Sequence, residues 1–342
     1  MSNAYSEHNV SADLSSRQGD KSVRLRLLGV LAISVAIAAA PFALGNLALH
    51  LAVSGGLLAL AAMPLTVLVG SAGLPSLGTA AFLCIGAFSA GIMANNLGLG
   101  LLPAVIASAV LGLLSGALVA ATTLRVSGLY LAVGTLALQR AVGVIATDLD
   151  LKLTYAAGFM LDDPNLFGIR INSLERWWTL VAVLMFLVYA AFRNLQQSHV
   201  GREWALLRTH PAAAAAMGIS ITKSRIQVFA LTSAIIAMVG VINAYHLGNV
   251  QAGTYTLELA IVYLTICALG KPGNLLGAIT ASYIIVLLPQ IIQFLLGLFS
   301  VDATSRVAGL ESIAIGSILI LALLRVPQRV LEKLRLKSSR RG

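Results

Sequence analysis

The sequence predicts an all-α, polytopic helical membrane protein of about ten transmembrane spans, with one short helix held outside the bilayer. Three observations predict it. The 342 residues are 58% hydrophobic and only 11% charged, and the mean hydropathy is +0.90; a soluble chain carries roughly 25% charged residues. The apolar runs are long enough to cross a bilayer as helices, which takes about 20 residues each. Basic residues collect between those runs and at both ends, as topology signals do. A soluble fold with a large buried core is excluded, because too little polar surface remains to cover it.

Residues 1–22 are polar and Ser-rich and read as a disordered cytoplasmic tail. Lys21, Arg24 and Arg26 lead straight into the first apolar stretch, with no cleavable signal peptide. Gly and Pro breaks then divide the membrane domain, 23–326, into spans near 24–44, 47–70, 80–97, 101–122, 128–147, 177–193, 226–247, 256–269, 275–297 and 309–325. The span 256–269 is short for a full crossing. A basic cytoplasmic tail, 327–342, closes the chain. With the N-terminus inside and the spans alternating, 18 of the 23 basic residues fall on the cytoplasmic side. Asp148, Asp150, Asp162, Asp163, Glu175 and Asp302 fall outside. An even number of spans keeps both basic ends inside, as the positive-inside rule asks.

The net charge of +10 does not point to nucleic acid, since no basic stripe with interleaved aromatics is present. Cys84 and Cys267 lie in apolar runs and read as small core residues. His50 and His246 stand apart from cysteines and paired carboxylates, so no metal site is expected. Asn95, Asn96, Asn243, Tyr245, Gln290 and Gln293 read as span-end or span-interior groups satisfied by nearby backbone. Small residues recur at Gly86, Ser89, Gly91, Ala107, Ser108 and Gly112-x-x-x-Gly116, a pattern that brings helix backbones together in lipid. There is no G-x-x-x-x-G-K-[ST] phosphate loop, no H-E-x-x-H and no embedded Asp pair. The chain reads as a conduit without an engine of its own.

Four segments stand out. Gly201 to Gly218 is a basic, Ala-rich loop with its own helix signals. Thr209 suits the cap, Pro211 the first turn, Ala212 to Met217 the body, and Gly218 the stop. A helix so placed outside the bilayer is a docking element. Ser71 to Thr79 interrupts an apolar pattern with Gly73, Pro75 and Gly78, and irregular backbone at membrane depth belongs inside protein or along a cavity. Arg140 lies deep in its span and needs a counter-ion or a polar cavity. Glu258, with Asp148, is the nearest acidic candidate, so a structural Arg140–Glu258 pair and a polar pathway lining are both open. The external segment Thr147 to Arg176, with the turn Asp162-Asp163-Pro164-Asn165, is either a solvated connector or a contact for a soluble partner.

Three stretches, in order, resemble one family. Gly73-Leu-Pro-Ser-Leu-Gly-Thr-Ala-Ala-Phe-Leu-Cys-Ile-Gly-Ala-Phe88 is similar to G-x-x-S-L-G-H-A-A-F-x-x-I-G-A-Y. Leu124-Arg-Val-Ser-Gly-Leu-Tyr-Leu-Ala-Val-Gly-Thr-Leu-Ala137 is similar to L-R-x-x-G-x-Y-x-A-x-x-T-L-A. Gly201-Arg202 through Arg208, with Ala212 to Ile219, is similar to G-R-x-x-x-A-I-R…A-A-x-x-x-G-I. The chain resembles, over roughly 47–325, permease subunits of ABC importers for branched-chain amino acids, closer to the LivM-type than to the LivH-type. It departs at Arg140, where the family commonly has an acidic residue, at Thr79, where it has His, and at Lys271 and Asn274 in Gly270-Lys-Pro-Gly-Asn-Leu-Leu-Gly277.

The resemblance implies a second, homologous permease, two ATPase subunits that bind ATP-Mg, an external solute-binding protein, and a small polar solute moved through the lipid bilayer. This chain itself holds no cofactor and is not an enzyme. It implies a bacterial inner-membrane location with both termini cytoplasmic. It makes the short helix a coupling helix in a loop at 198–225, with Gly201, Arg202, Leu206, Arg208, Thr209, Pro211, Ala212, Ala216, Met217 and Gly218 as coupling candidates. Ser76, Leu77, Gly78, Phe82, Tyr130, Arg140 and Glu258 are the pathway candidates. The alternatives are the same importer class carrying urea, amides, sugars or aromatic acids, and an ion-coupled secondary transporter using Arg140 and Glu258.

Overall fold

The computed structural model describes residues 45–123, 129–166 and 168–298, together with 313, 316 and 317. The expected span 24–44, all but three residues of the span 309–325, both tails and Arg125 lie outside the described residues. The chain divides into two compact units, Met1–Leu49 and His50–Gly342. The described residues of the first open helix α1 (Asn46–Ser71), with the Leu49 N–H donating to the Gly45 carbonyl at 3.0 Å.

The second unit carries the rest of α1 and a helical bundle. Its elements are α2 (Thr79–Leu97), α3 (Leu101–Thr123), α4 (Leu129–Thr154), α5 (Leu174–Gln197), α6 (His199–Thr209), α7 (Pro211–Ala216), α8 (Ile221–Leu247), α9 (Leu257–Leu269) and α10 (Leu275–Leu298). Among the described residues, eight helical segments are long and apolar enough to cross a membrane. They correspond one to one with the eight spans expected between 47 and 297. The short span at 256–269 reaches crossing length only with the 3₁₀ turn Ala252–Thr254 that precedes α9. Helix α4 runs on to Thr154, past the expected end at 147.

Glycine explains how the core closes. A Cβ on Gly86 of α2 would strike the Ala237 carbonyl of α8, and one on Gly240 of α8 would strike the Leu83 carbonyl of α2. On α3, Gly112 lies against Ala237 and Ser233, and Gly116 against Ser233 and Ala230, all on α8. Lipid tails are as apolar as leucine, so helices in a bilayer gain by close backbone approach rather than by leaving water. The phenyl rings of Phe82 (α2) and Phe229 (α8), both fully buried, meet edge to face at 6.0 Å beside these contacts. Helix α1 is gripped in the same way: Gly55 faces the Tyr283 ring of α10 and Gly56 faces Val181 of α5.

The segment between α4 and α5 is more than a connector. Strand β1 (Phe159–Met160) pairs antiparallel with β4 (Asn249–Val250), and β2 (Asn165–Leu166) with β3 (Ile169–Arg170). Phe159 stacks edge-on onto Phe88 at 6.0 Å, and the Asn95 amide donates to the Met160 carbonyl at 3.0 Å, so the segment is seated on α2. Asp150 is buried near the end of α4. It accepts from the Thr154 hydroxyl at 2.5 Å, the Gly158 N–H at 3.2 Å and the Ala252 N–H at 3.3 Å. One carboxylate therefore joins α4 to the loops on both sides of the β1–β4 pair.

The glycine contacts predict a graded response. Gly86→Ala and Gly240→Ala, which push a methyl into backbone, should each destabilise the protein by about 1–3 kcal/mol. Gly100→Ala, whose Cβ meets nothing within 4 Å, should be near neutral. Thermal unfolding of the three variants in detergent checks this, and equal midpoints for all three would refute it.

Candidate functional site

The outstanding loop of the sequence is built from two helices and a tight turn. Ser198 ends α5 and caps α6, its Oγ accepting from the Gly201 N–H at 3.3 Å. The turn is so close that a Cβ on Gly201 would collide with the Leu195 and Gln196 carbonyls. Gly201 is thus fixed by backbone geometry. Helix α6 buries Trp204 and Leu207, keeps Leu206 half-buried, and leaves Arg202, Arg208 and Thr209 exposed.

Arg208 is turned back onto the bundle. Its guanidinium donates to the carbonyl of Gly70, in the last turn of α1, and its stem lies over Gly73. A cation there meets carbonyls that no helical N–H satisfies. The Gln196 amide donates to the Gly273 carbonyl at 3.1 Å and to Ser71 Oγ at 3.5 Å. The Gly273 N–H donates to the Thr66 carbonyl at 2.9 Å, and a Cβ on Gly70 would overlap Gly273. The end of α1, the α5–α6 turn and the α9–α10 loop therefore form one junction.

Helix α7 projects from this junction. Thr209 does not cap it: Thr209 is the last residue of α6, and its hydroxyl donates back to the Ala205 carbonyl at 3.1 Å. The Ala-rich run needs no side-chain cap because α6 delivers the chain to it through His210. Pro211 occupies the first turn, as expected. The stop is also as expected. With Gly218 at φ +80°, its N–H bonds the Ala215 carbonyl and the Ile219 N–H bonds the Ala214 carbonyl, both at 3.0 Å. Those two bonds form a Schellman motif, which glycine enters without steric cost. Ala214 is buried, whereas Ala212, Ala213, Ala215 and Ala216 are exposed and Met217 is 72% exposed. The result is a small apolar knob on a braced base.

The pathway candidates fall into two groups. Ser76, Leu77, Gly78 and Phe82 are packing and pinning residues. The Leu77 N–H donates to Thr135 Oγ1 of α4 at 2.9 Å, the Gly78 N–H donates to Ser76 Oγ at 3.2 Å, and Phe82 is buried. The interrupted backbone is thereby satisfied inside protein. The side chains of Tyr130 and Pro211 lie outside the described residues.

Arg140 forms the second group. It is the twelfth residue of the 26 in α4 and lines a pocket of about 630 Å³. Gln139, Val144, Thr147 and Asp148 of the same helix share the wall with Tyr255 and Leu257. Among the described residues no ion pair joins Arg140 to Glu258, so the structural pair allowed by the sequence is not formed. The reason is local: Leu257, not Glu258, lines the pocket, and Glu258 is exposed in the first turn of α9. Asp148 is committed to Lys152 at 2.8 Å.

Residues 47–324 match the family described as the permease component of branched-chain amino acid transport systems. The chain belongs to this family. It is 24% identical to the high-affinity branched-chain amino acid transport permease LivM of Salmonella typhimurium, over 79% of this chain and 68% of that one. Against LivM of Escherichia coli the figures are 24%, 80% and 70%. Against a probable LivM of Methanocaldococcus jannaschii they are 28%, 54% and 54%. The permease reading of the three motifs is therefore right, and the chain is a transport component rather than an ATPase.

Sequence reasoning missed three residues of these sites. Gln139 and Tyr255 stand in the pocket wall, and Gln196 braces the junction. Gln139 carried a usable signal, a second polar side chain next to Arg140 in an apolar span. Gln196 carried none, since its partners lie 77 and 125 residues away.

Arg208 is expected to brace the permease. Arg208→Ala should cost about 1.5–3 kcal/mol, the range for a charged hydrogen bond, and should speed amide exchange in residues 66–73. Hydrogen exchange on the two proteins tests it; unchanged exchange there would assign Arg208 to the outer surface instead.

Proposed function

We propose that this permease carries branched-chain amino acids inward across a bacterial inner membrane, with both termini cytoplasmic. It works beside a second, homologous permease. Two ATPase subunits bind ATP-Mg on the cytoplasmic side, and a solute-binding protein delivers cargo outside. The observation that carries the reading is the exposed knob of α7, braced at the basic end of a chain that has no phosphate loop of its own. An apolar knob of this size suits a groove on an ATPase. Movement of that groove on ATP binding passes through α7 to the junction at Gly70 and Gly273, and from there into α1 and α10.

The cargo follows from family membership and from the names of the relatives. The chain does no covalent chemistry; it offers a path and a switch. The ion-coupled alternative relied on coupling between Arg140 and Glu258, and no ion pair between them supports it.

Ala216→Glu and Met217→Asp should leave the protein inserted and folded, since both positions are exposed. They should cut coupled uptake by tenfold or more while the ATPases continue to turn over. Uptake and ATP hydrolysis measured together in proteoliposomes decide it, and normal uptake in both variants would remove α7 from coupling. In the same vesicles, uptake of L-leucine should stop without ATP and persist when proton and sodium gradients are collapsed. Gradient-driven uptake without ATP would favour a secondary transporter.

A further inference from the structure

We infer that the exposed face of α4, centred on Arg140, seats the second permease, and that a membrane-embedded carboxylate of that subunit sits on the Arg140 guanidinium. The inference rests on the two-permease reading above. It adds to that reading the face that pairs and the charge of the partner.

The face runs along one helix. Val133, Ala137, Arg140, Val144, Thr147 and Leu151 are all exposed and recur every three or four residues, so they form one stripe. Among the eight crossing helices of the described residues, α4 has the smallest buried share, 22% against 67% for α8. Lipid satisfies the apolar members of the stripe but not Arg140. As the twelfth of 26 residues, its Cα stands about 16 Å from one end of the helix and about 21 Å from the other. A charge at that depth persists only with compensation.

The carboxylates of this chain near α4 do not supply it. Asp148 borders the same groove, but it lies two turns further along α4, about 12 Å up the axis, and is bonded to Lys152 at 2.8 Å. Asp150 is buried and accepts from three donors. Glu258 does not line the groove, and no ion pair joins it to Arg140.

The groove has room for a neighbouring helix. About 630 Å³ lies between α4 and the stretch 252–257. Two of its lining residues, Gly143 and Gly253, lack side chains, and a Cβ on either would meet nothing within 4 Å. Elsewhere in the bundle the helical glycines are used: Gly86, Gly112, Gly116 and Gly240 each lie against another helix. Gly143 also stands inside a helix, where glycine costs stability relative to alanine, and this chain leaves its gap empty. A partner helix packed as α8 packs on α2 would fill it.

Charge decides which partner. The planar fork of arginine holds a carboxylate by two parallel hydrogen bonds. A carboxylate embedded in another membrane subunit carries the same burden as Arg140, so each subunit completes the other. Lipid phosphates lie at the bilayer surfaces rather than at mid-span. A symmetric pair of this chain through this face would set one Arg140 stripe against another, and the acid of this groove, Asp148, is already taken.

The test uses the tagged full-length chain purified from the membranes of the cells that make it, with its subunits counted by native mass spectrometry. A diazirine amino acid placed at position 144 should cross-link to a membrane-spanning helix of another permease, with an Asp or Glu within one turn of the adduct. Arg140→Glu should lower the fraction of chain that carries the second permease tenfold or more, and changing the partner's acid to Arg should restore it. Gly143→Leu should also lower that fraction tenfold. The chain purified alone separates pairing from folding: Arg140→Met and Gly143→Leu should hold or raise its thermal unfolding midpoint. Adducts confined to lipid or to a second copy of this chain would overturn the inference, as would full pairing by Arg140→Glu or lowered midpoints in the lone chain. If the second permease is present but cross-links through another face, only this face is wrong. If no second permease accompanies the chain from membranes that take up L-leucine, the two-permease reading fails as well.

Discussion

The contact on which the rest of the bundle depends is the backbone-to-backbone approach of α8 to α2 and α3. Gly86, Gly240, Gly112 and Gly116 remove the side chains that would keep those helices apart. With α2 seated, the broken segment before it falls against α4, where Thr135 receives the Leu77 N–H. With α8 seated, its far end runs through Gly248 into β4, whose pairing with β1 holds the stretch that becomes the pocket wall. Its near end begins at Ile221, three residues beyond Gly218 and close behind the knob of α7. One helix therefore lies in the chain between the exposed knob of α7 and the stretch that lines the Arg140 pocket.

Two arginines show how position decides the fate of a charge. Arg208 sits at a helix end, where carbonyls wait for donors, and its cost is offset on the spot by Gly70. Arg140 sits at mid-helix, where the backbone is already bonded to itself and offers nothing. The first becomes a brace and the second stays available. Sequence alone marks both as basic residues of a membrane protein; only the fold separates them.

The sequence carried the eight spans between 47 and 297, the Gly218 stop, the small-residue contacts and the permease family, because each rests on a local pattern or on an ordered series of motifs. It misassigned Thr209, since capping preference is blind to a preceding helix that claims the same residue. It left Arg140 and Glu258 as possible partners, because depth along two helices says nothing about which way each turns. The two-residue strands were invisible for a different reason. Phe159 and Val250 pair across 91 residues, and no period exists in a segment of two.

The junction of Arg208, Gln196 and Gly273 has a mechanical consequence. A hinge placed between α7 and the bundle would absorb a push as bending and waste the stroke. Here the α5–α6 turn leaves little room to bend: a methyl group at Gly201 would strike its backbone, Gln196 reaches the α9–α10 loop at Gly273, and Arg208 of α6 reaches the end of α1 at Gly70. Under the proposed coupling, a displacement delivered at the knob would reach α1, whose Gly55 and Gly56 lie against Tyr283 and Val181.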